Sequence, residues 1–260
     1  QMDIMKNVNQ LFSLKGKVSI ITGAARGNGR EIAMSFAKYG SNLILIDKLK
    51  SELNELKNKL IKFKIKSKIF ICDLSSSNDV KTIVNKLKKQ KVKIDVLINN
   101  AGITLPSLKP VYPEILWEKT YKVNLKAPFL LCNGLLKNFN KNSSIINITS
   151  MGVELGFFNN VAYQAFKGAL RQMTKSMAMD YAKYNIRVNN LSPGYIKTNM
   201  TKLSFQNKNK KKKLMNRTII GRLGNPKDLV GTAIFLASSA SSYITAQDIR
   251  VDGGFTAKGD

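Results

Sequence analysis

The sequence contains no histidine, two cysteines and only 16 acidic residues among its 260 residues. Without histidine, Ser-His-Asp hydrolysis, Cys-His nucleophilic catalysis and every His-ligated metal site are excluded, because the side chain that would carry the proton or the metal is absent. Acid–base chemistry therefore falls to tyrosine, lysine, aspartate or glutamate. We expect no metal site.

The two cysteines, Cys72 and Cys132, each lie inside an apolar run. This is the usage of small buried side chains in a reducing compartment, so we expect two free thiols. No apolar stretch approaches the ~18 to 20 residues of a membrane span, and the first residues lack an apolar segment followed by a cleavage site. We therefore expect a soluble, cytoplasmic protein with no membrane partner.

The scarcity of acidic residues leaves a formal net charge of +27, which is compatible with a nucleic-acid or membrane partner. The charge comes mostly from lysines spread through nearly every segment, whereas proteins that read phosphates and bases favour arginine. Lysines on solvated faces explain the net charge better, and a nucleic-acid partner is disfavoured. The cluster Lys208–Lys213 favours a solvated loop, with a patch that attracts an acidic substrate or carrier as the alternative.

Short β-branched runs alternate with amphipathic segments along the chain. Uninterrupted alternation predicts one α/β domain of the Rossmann type, a doubly wound parallel sheet of about seven strands with helices on both faces. We place this domain at residues 15–260, after an N-terminal arm at residues 1–14. The predicted strands are 18–22, 42–46, 68–72, 96–99, 144–149, 187–191 and 247–251, and the predicted helices are 30–39, 51–65, 78–89, 113–138, 161–184 and 226–237.

One segment, at about residues 198–224, departs from this alternation because it is polar and lysine-rich and has no strong period. Long insertions of this kind in compact domains are usually functional lids or disordered. We predict a substrate-binding lid over one end of the sheet.

A glycine cluster directly follows the first predicted strand and opens the first helix. It reads Thr22-Gly23-Ala24-Ala25-Arg26-Gly27-Asn28-Gly29. Glycines at this junction let the backbone approach a pyrophosphate, whose charge then lies at the helix N-terminus. An ordinary tight turn is the alternative, but the position between strand and helix favours a dinucleotide site. The spacing G-x-x-x-G-x-G points to a particular branch of the nucleotide-binding folds.

Asp47 ends the second predicted strand, 18 residues after Gly29. A carboxylate there would accept hydrogen bonds from the adenosine ribose and repel a 2′-phosphate, which favours NAD over NADP. Arg26 and Lys48 could each pair with a 2′-phosphate, so NADP stays open. The alternative reading of Asp47 is a helix cap or turn residue.

Tyr163 and Lys167 form Y-x-x-x-K inside a predicted helix, and this spacing places both on one face. A free tyrosine has a pKa near ~10, too high for a base at neutral pH. A neighbouring ammonium and the positive nicotinamide of an oxidised cofactor would lower the pKa of Tyr163. The pair could thus supply the proton-transfer group that histidine supplies elsewhere, although the spacing alone also fits a surface pair.

Taken together and in this order, the motifs resemble the short-chain dehydrogenase/reductase family over nearly the whole chain, from Lys15 to Gly254. The matching motifs are T-G-x-x-x-G-x-G at 22–29, Asp73-Leu74, Asn99-Asn100-Ala101-Gly102, Asn124, Ser150, Tyr163 with Lys167, and Pro193-Gly194 with Thr198. Two positions depart from the family pattern. Asn28 stands where an apolar residue is usual, and Phe166 stands where a small serine is usual.

The resemblance implies a catalytic set of four residues. Tyr163 would be the general acid/base, and Ser150 would hydrogen-bond the same substrate oxygen. Lys167 would bind the nicotinamide ribose and lower the pKa of Tyr163, while Asn124 would hold a water that links Lys167 to solvent.

The resemblance also implies the cofactor contacts. Asp73 and Leu74 would lie near the adenine. Asn100, Ala101 and Gly102 would line the nucleotide, and Pro193, Gly194, Ile196 and Thr198 would contact the nicotinamide end.

Residues 12–17, the Trp117 segment and residues 182–189 look most like the sugar-acid and polyol dehydrogenases, such as gluconate 5-dehydrogenase. The resemblance implies an NAD(P)-dependent enzyme that interconverts a secondary alcohol and a ketone, and a homotetramer. A 3-oxoacyl-acyl-carrier-protein reductase is the alternative, which a basic cluster would suit because the carrier is acidic. A non-catalytic nucleotide sensor or nucleic-acid binder is disfavoured, since the Asn-Ser-Tyr-Lys set is complete.

Overall fold

The computed structural model describes residues 8–259, apart from the side chains of residues 203 and 204. Seven parallel strands form one sheet in the order β3-β2-β1-β4-β5-β6-β7. The order reverses between β1 and β4, and in such sheets ligands bind outside the carboxyl ends of the strands at this point. The predicted doubly wound α/β fold is confirmed. The strands are β1 (Val18–Thr22), β2 (Asn42–Asp47), β3 (Ser67–Ile71), β4 (Ile94–Asn99), β5 (Phe139–Ile148), β6 (Ile186–Pro193) and β7 (Asp248–Val251).

Helices cover both faces of the sheet, because successive strand residues point to opposite sides. Ile20 of β1 packs into one apolar cluster and Ile21 into the other. Among residues 8–259, no helix is both long and apolar enough to span a membrane. The helices are α1 (Gly27–Lys38), α2 (Lys50–Leu60), α3 (Ser77–Lys89), α4 (Glu114–Tyr121), α5 (Ala127–Gly134), α6 (Val161–Tyr181), α7 (Lys202–Gln206), α8 (Lys208–Asn216) and α9 (Val230–Ala237).

The last residues of the predicted N-terminal arm are part of the hydrophobic core. Leu14 is fully buried and Phe12 packs partly against the same cluster. Residues 1–7 of the arm lie outside the described residues. Cys72 and Cys132 are both buried and free, as expected.

Strand β5 begins five residues before its predicted start. Phe139 pairs with Ile94, and the register shifts before Ser144 pairs with Val96. The intervening residues are polar and include Asn142 in the left-handed region at φ 62°. This part of the strand therefore lacks the alternation of apolar residues from which strands were predicted.

The single helix predicted for residues 113–138 is wrong. Helices α4 and α5 are separated by a π turn at Lys122–Lys126, where Ala127 N–H donates to the carbonyl of Lys122. Pro128 has no N–H and cannot donate to the carbonyl of Asn124, as a continuous α-helix would require. Such π turns are frequent at functional sites.

The loop predicted for Lys208–Lys213 is also wrong, because these residues form most of helix α8. Lysine is a good helix former, and Asn207 caps the helix by accepting a hydrogen bond from Lys210 N at 2.9 Å. The whole insertion is closed at its base, where Gly224 accepts from Lys197 N at 2.9 Å and donates to the carbonyl of Tyr195 at 3.0 Å.

Candidate active site

A cleft of about 500 Å³ lies at the carboxyl ends of β1, β2 and β4. The loop between β1 and α1 forms one wall, and the segment after β4 forms another. Of the residues predicted to bind a cofactor, the cleft is lined by Gly23, Arg26, Gly27, Asn28, Asp47, Asp73, Leu74, Asn100, Ala101, Gly102 and Thr198.

The glycine loop has the shape that a pyrophosphate requires. Gly27 adopts φ 55°, and a Cβ at Gly29 would lie 2.2 Å from the carbonyl oxygen of Gly23. No side chain caps the N-terminus of α1, which leaves the backbone N–H groups of its first turn for an anion. The Oδ1 atom of Asn28 is buried there without a hydrogen-bond partner. These residues fit a dinucleotide.

Asp47 links the glycine loop to the end of β2. One carboxylate oxygen accepts from Ala25 N at 3.0 Å, and the other accepts from Leu49 N at 3.2 Å. Each oxygen keeps capacity for a further donor such as a ribose hydroxyl. Asp47 is thus a turn residue that also lines the cleft.

Asp73 lies at the same end of the cleft. Burial opposes its ionisation, but the N–H and hydroxyl of Ser75, together with Lys48 and Lys119, outweigh burial and hold the pKa of Asp73 below its ordinary value. Lys48 Nζ lies 3.8 Å from the Asp73 carboxylate. Among the described residues, no carboxylate lies within 4.0 Å of the Arg26 guanidinium.

Helix α6 and the end of β5 bring the predicted catalytic side chains together. Ser150 follows β5, and its Oγ accepts from Gly152 N at 3.0 Å, which leaves its own hydrogen free to donate. Lys167 is 3% exposed, and its Nζ donates to the carbonyl of Ile148 at 2.6 Å. The Lys167 Nζ atom lies 5.8 Å from the centroid of the Tyr163 ring.

The protonation states of this pair follow from burial. Burial raises the pKa of Tyr163, and the neighbouring Ser150 hydroxyl opposes this rise. Burial also lowers the pKa of Lys167 to about 8. In the protein alone burial dominates, and the ammonium is directed at the carbonyl of Ile148. The lowering of the pKa of Tyr163 by the ammonium together with the oxidised nicotinamide stays a prediction.

Asn124 lies in the π turn and is fully buried. Its side-chain amide accepts from Ile103 N at 2.8 Å and donates to the carbonyl of Ile103 at 2.9 Å. The amide thus holds the chain after β4. A Cβ at Gly102 would lie 3.3 Å from Lys167 Nζ and 3.5 Å from Asn124 Oδ1, so the catalytic set adjoins the cleft at Gly102.

Some predicted residues lie outside the cleft wall. Gly29 is buried behind the glycine loop, and Pro193 is buried at the end of β6. Gly194 and Ile196 line a separate cavity of about 240 Å³. The side chains of Tyr163 and Lys167 adjoin the cleft without being part of its wall.

Sequence reasoning missed several residues of the cleft wall. Most directly continue a motif: they extend the segment after β4, or follow Thr198 at the start of the insertion. In such sheets ligands bind outside the carboxyl ends of the strands, and applying this rule a few residues further along the chain would have found those residues. The missed residues are Leu49, Cys72, Ile103, Thr104, Leu105, Val123, Asn199 and Met200.

Phe166, one of the two departures from the family pattern, packs inside the chain. Its ring centroid lies 4.6 Å from that of Trp117 and 5.4 Å from that of Tyr121. The ring therefore fills the contact between α4 and α6 and leaves the spacing of Tyr163 and Lys167 intact. Over residues 8–259, no group of three cysteine, aspartate or glutamate side chains could hold a metal ion.

A family model described as enoyl-(acyl carrier protein) reductase matches residues 23–256. The 5-keto-D-gluconate 5-reductase of Escherichia coli (strain K12) is 36% identical over 250 residues, which cover 95% of this chain and 98% of that protein. The 2-dehydro-3-deoxy-D-gluconate 5-dehydrogenase of Pseudoalteromonas atlantica is 33% identical over 247 residues, which cover 94% and 97%. The structure of a gluconate 5-dehydrogenase from Burkholderia cenocepacia J2315, in complex with NADP and tartrate, has a TM-score of 0.90 at 31% identity and covers 97% of this chain and 100% of that one.

Proposed function

The chain belongs to the short-chain dehydrogenase/reductase family, and from this we propose that it interconverts a secondary alcohol and a ketone on a sugar acid such as gluconate. The family resemblance of the motifs is confirmed, and the chain is an NAD(P)-dependent oxidoreductase that acts on CH–OH groups. The observation that carries the proposal is the placement of Tyr163 beside the buried Lys167, which adjoins the cleft at Gly102, with the Ser150 hydroxyl at the end of β5 acting on the same phenol. The names of the relatives support the substrate class.

Tyr163 and Ser150 act on the substrate oxygen in this proposal. In oxidation Tyr163 takes the hydroxyl proton, the C–H electron pair and hydrogen leave as hydride, and the carbon becomes a carbonyl. Ser150 donates its free hydrogen to the same oxygen and fixes its position. The nicotinamide dinucleotide supplies or accepts the hydride when bound.

Lys167 and Asn124 support the proton transfer. Lys167 uses one donor on the carbonyl of Ile148 and retains two for the ribose hydroxyls and the phenol oxygen. Asn124 is a positioning residue, since its amide exchanges two hydrogen bonds with the backbone of Ile103. A water relay at Asn124, which the family resemblance implies, is supported by its backbone carbonyl, to which Pro128 cannot donate.

Asp47 is proposed to set a preference for NAD. Replacing Asp47 by asparagine removes the charge that repels a 2′-phosphate and keeps one oxygen for Ala25 or Leu49. We expect the ratio of kcat/KM for NADP to that for NAD to rise about 10- to 100-fold, the effect of relieving one close charge repulsion. Steady-state kinetics with both cofactors measure this ratio. Glu52→Gln, which removes a charge from the following helix, should leave it unchanged, and an unchanged ratio in Asp47→Asn would contradict the assignment.

The insertion at 198–224 is proposed to be the substrate lid of a domain that spans residues 15–260. Thr198, Asn199 and Met200 line the cleft opposite the glycine loop, and Thr198 Cγ2 lies 3.4 Å from the position of a Cβ on Gly27. The insertion therefore reaches the cofactor side of the site and is held at its base by the bridge between Ile196 and Gly224.

A 3-oxoacyl-acyl-carrier-protein reductase is the second candidate. It is favoured by the basic helix α8 and by the description of the matching family model. A reaction that depends on an acidic carrier should weaken steeply with added salt, whereas oxidation of a small sugar acid should not.

A substrate panel tests the proposal. The purified protein is assayed for NAD(P)H formation with gluconate and glucitol, and for NAD(P)H consumption with a 3-oxoacyl thioester of acyl carrier protein. We expect turnover of gluconate with weak dependence on salt. Turnover of the acyl carrier substrate alone would overturn the proposal, and tight DNA binding without any turnover would revive the non-catalytic alternative.

We propose a homotetramer in the cytoplasm. Ile115 on α4, Phe129 on α5 and Met179 on α6 are exposed, with Met179 81% exposed, on the helices through which this family usually assembles. The two buried free thiols fit a reducing compartment. Light scattering after gel filtration should give about four times the chain mass of 29.0 kDa, and a monomer at micromolar concentration would contradict the assembly.

A further inference from the structure

Three consecutive residues of the cleft wall, 103–105, are each held by a side chain from outside this stretch. The Asn124 amide exchanges two hydrogen bonds with the backbone of Ile103, at 2.8 and 2.9 Å. The Tyr112 hydroxyl donates to the carbonyl of Leu105 at 2.6 Å. A wall fixed in this way loses little conformational freedom when a ligand binds, which is a usual property of a binding site.

Thr104, in the middle of this stretch, has the one polar side chain among the three residues. Its Oγ1 atom accepts from Nδ2 of Asn160 at 2.8 Å. A backbone hydrogen bond from Ser107 N to the carbonyl of Asn159, at 2.9 Å, holds the same two segments together. The Oδ1 atom of Asn160 is buried without a partner, so the Thr104 hydrogen is not directed at it. The Thr104 hydroxyl therefore keeps its hydrogen for a ligand.

The Thr104 hydroxyl lies on the catalytic side of the cleft. Its partner Asn160 immediately precedes α6 and lies three residues before Tyr163, which is less than one helical turn. Thr104 itself follows Gly102 by two residues, and a Cβ at Gly102 would lie 3.3 Å from Lys167 Nζ. Both neighbours therefore place this hydroxyl beside the catalytic set.

The Asn160 amide holds Thr104 at a cost to stability. Asparagine is a preferred N-cap residue, yet the Asn160 side chain makes no capping hydrogen bond to α6. Its buried Oδ1 atom has no partner at all among the described residues. A buried oxygen without a hydrogen bond lowers the stability of the folded protein, and such groups call for a functional reason. The bond to Thr104 supplies one.

The chemistry of this part of the wall fits a neutral hydroxyl group. Ile103 and Leu105 are apolar, and neither Thr104 nor Asn160 carries a charge. A carboxylate takes its strongest hydrogen bonds from charged donors, which this stretch does not offer. A sugar acid carries hydroxyl groups on the carbons next to the reacting one.

We propose that Thr104 donates a hydrogen bond to the oxygen of a hydroxyl group next to the reacting carbon, with Asn160 as the positioning residue that directs its hydrogen into the cleft. The inference rests on the proposed function and deepens it, since it names the part of the substrate that the enzyme recognises. Thr104 thereby selects polyhydroxylated substrates over simple secondary alcohols, because a substrate without this hydroxyl leaves its donor unpaired.

Substrate analogues combined with matched variants test this contact. The analogues are 4-deoxygluconate and 6-deoxygluconate, which each lack one of the hydroxyls that flank C5, the carbon named in the relatives. Thr104→Val retains the side-chain shape and should lower kcat/KM for gluconate about 10- to 100-fold, the usual effect of leaving a polar partner unpaired. With one of the two analogues it should cause no loss, because that analogue lacks the same contact. Thr104→Ser should stay close to the wild type.

Asn160→Asp tests the positioning role. An aspartate has no donor at this place, so the Thr104 hydroxyl turns and donates to the carboxylate instead of to the substrate. We expect kcat/KM for gluconate to fall as in Thr104→Val, although aspartate is as good an N-cap as asparagine and a purely structural role predicts no loss. Combining both substitutions should add nothing to the loss in Thr104→Val. Ser107→Ala removes a hydroxyl from the same segment, outside the cleft wall, and should keep the wild-type value.

Calorimetry provides a readout that does not need turnover. With NADH present, which cannot accept a hydride, gluconate should bind the wild type and bind Thr104→Val about 10- to 100-fold more weakly. Equal losses in Thr104→Val with gluconate and with both analogues would overturn the inference, because the effect would then be one of loop packing. Unchanged affinity in Thr104→Val, or absence of gluconate binding to the wild type, would overturn it as well. Binding with the expected losses but without turnover would overturn the proposed function alone.

Discussion

Replacing Tyr163 by phenylalanine is expected to lower kcat for gluconate oxidation by about 10²- to 10⁴-fold, the usual contribution of a positioned general acid–base group. The substitution removes a single oxygen atom and retains the ring that faces Lys167 at 5.8 Å. The KM for the cofactor should stay close to that of the wild type, because the phenol oxygen acts on the substrate oxygen. Steady-state formation of NAD(P)H measures both constants.

Tyr181→Phe is the matched control for this prediction. Tyr181 lies on the same helix, is 6% exposed, and its substitution also removes one buried hydroxyl. We expect near wild-type turnover, since this hydroxyl lies more than four helical turns from Tyr163 along α6. An equal loss in both variants would attribute the effect to helix packing and contradict a chemical role for Tyr163.

Lys167→Met is expected to lower kcat/KM by about 10²- to 10³-fold, because the variant removes the ammonium that lies beside the Tyr163 ring and adjoins the cleft at Gly102. The pH profile of kcat/KM for the wild type should show an ionisation near the Lys167 pKa of about 8, which belongs to the coupled Tyr163–Lys167 pair. The profile of Lys167→Met should lack it. Lys175→Met, on an exposed face of α6, should keep both the rate and the profile.

The same variant should be more stable than the wild type near neutral pH. Burial lowers the pKa of Lys167 from 10.5 to about 8, so the charged form costs the folded wild type about 3 kcal/mol. Lys167→Met removes this cost but also loses the hydrogen bond to Ile148, which lowers its net gain in stability by about 1–2 kcal/mol. The unfolded chain binds more protons between these two pKa values, so wild-type stability rises with pH across this window. Below the folded pKa the penalty is complete, and above the unfolded pKa it has vanished.

Denaturant unfolding at several pH values measures this difference. Lys167→Met should exceed the wild type by about 1–2 kcal/mol near pH 7, and the gain should disappear towards pH 10.5. A variant that is less stable than the wild type near pH 7 would show that the hydrogen bond to Ile148 outweighs the cost of the buried charge. Functional sites often contain groups that lower the stability of the folded protein, and the buried charge of Lys167 is such a group.

The sequence allowed the fold and the cofactor cleft to be predicted because their signals are local. The glycine loop lies between a β-branched run and a helix, and the motif Asn99–Gly102 begins at the last residue of a strand. Parallel topology then brings the ends of these strands to one edge of the sheet. Thus a few short patterns and one topological rule locate most of the cleft wall.

The remaining features depend on contacts between distant parts of the chain. The π turn at Lys122–Lys126 interrupts an unbroken helical pattern, and the amide of Asn124 there is engaged with Ile103, 21 residues away. The rise in the pKa of Tyr163 comes from burial by the folded chain. Thr104 belongs to no motif, and only the structure places it against Asn160, 56 residues away. No periodicity in the sequence reports such contacts.

Transfer of isotope from substrate to cofactor tests the central claim most directly. The wild-type protein is incubated with NAD and gluconate that carries deuterium at C5, the carbon named in its relatives, and the reduced cofactor is analysed by mass spectrometry. We predict deuterated NADH and a keto acid from the wild type, and neither from Tyr163→Phe over the same interval. Unlabelled or absent NADH with the wild type, or equal labelling by Tyr163→Phe, would contradict the account.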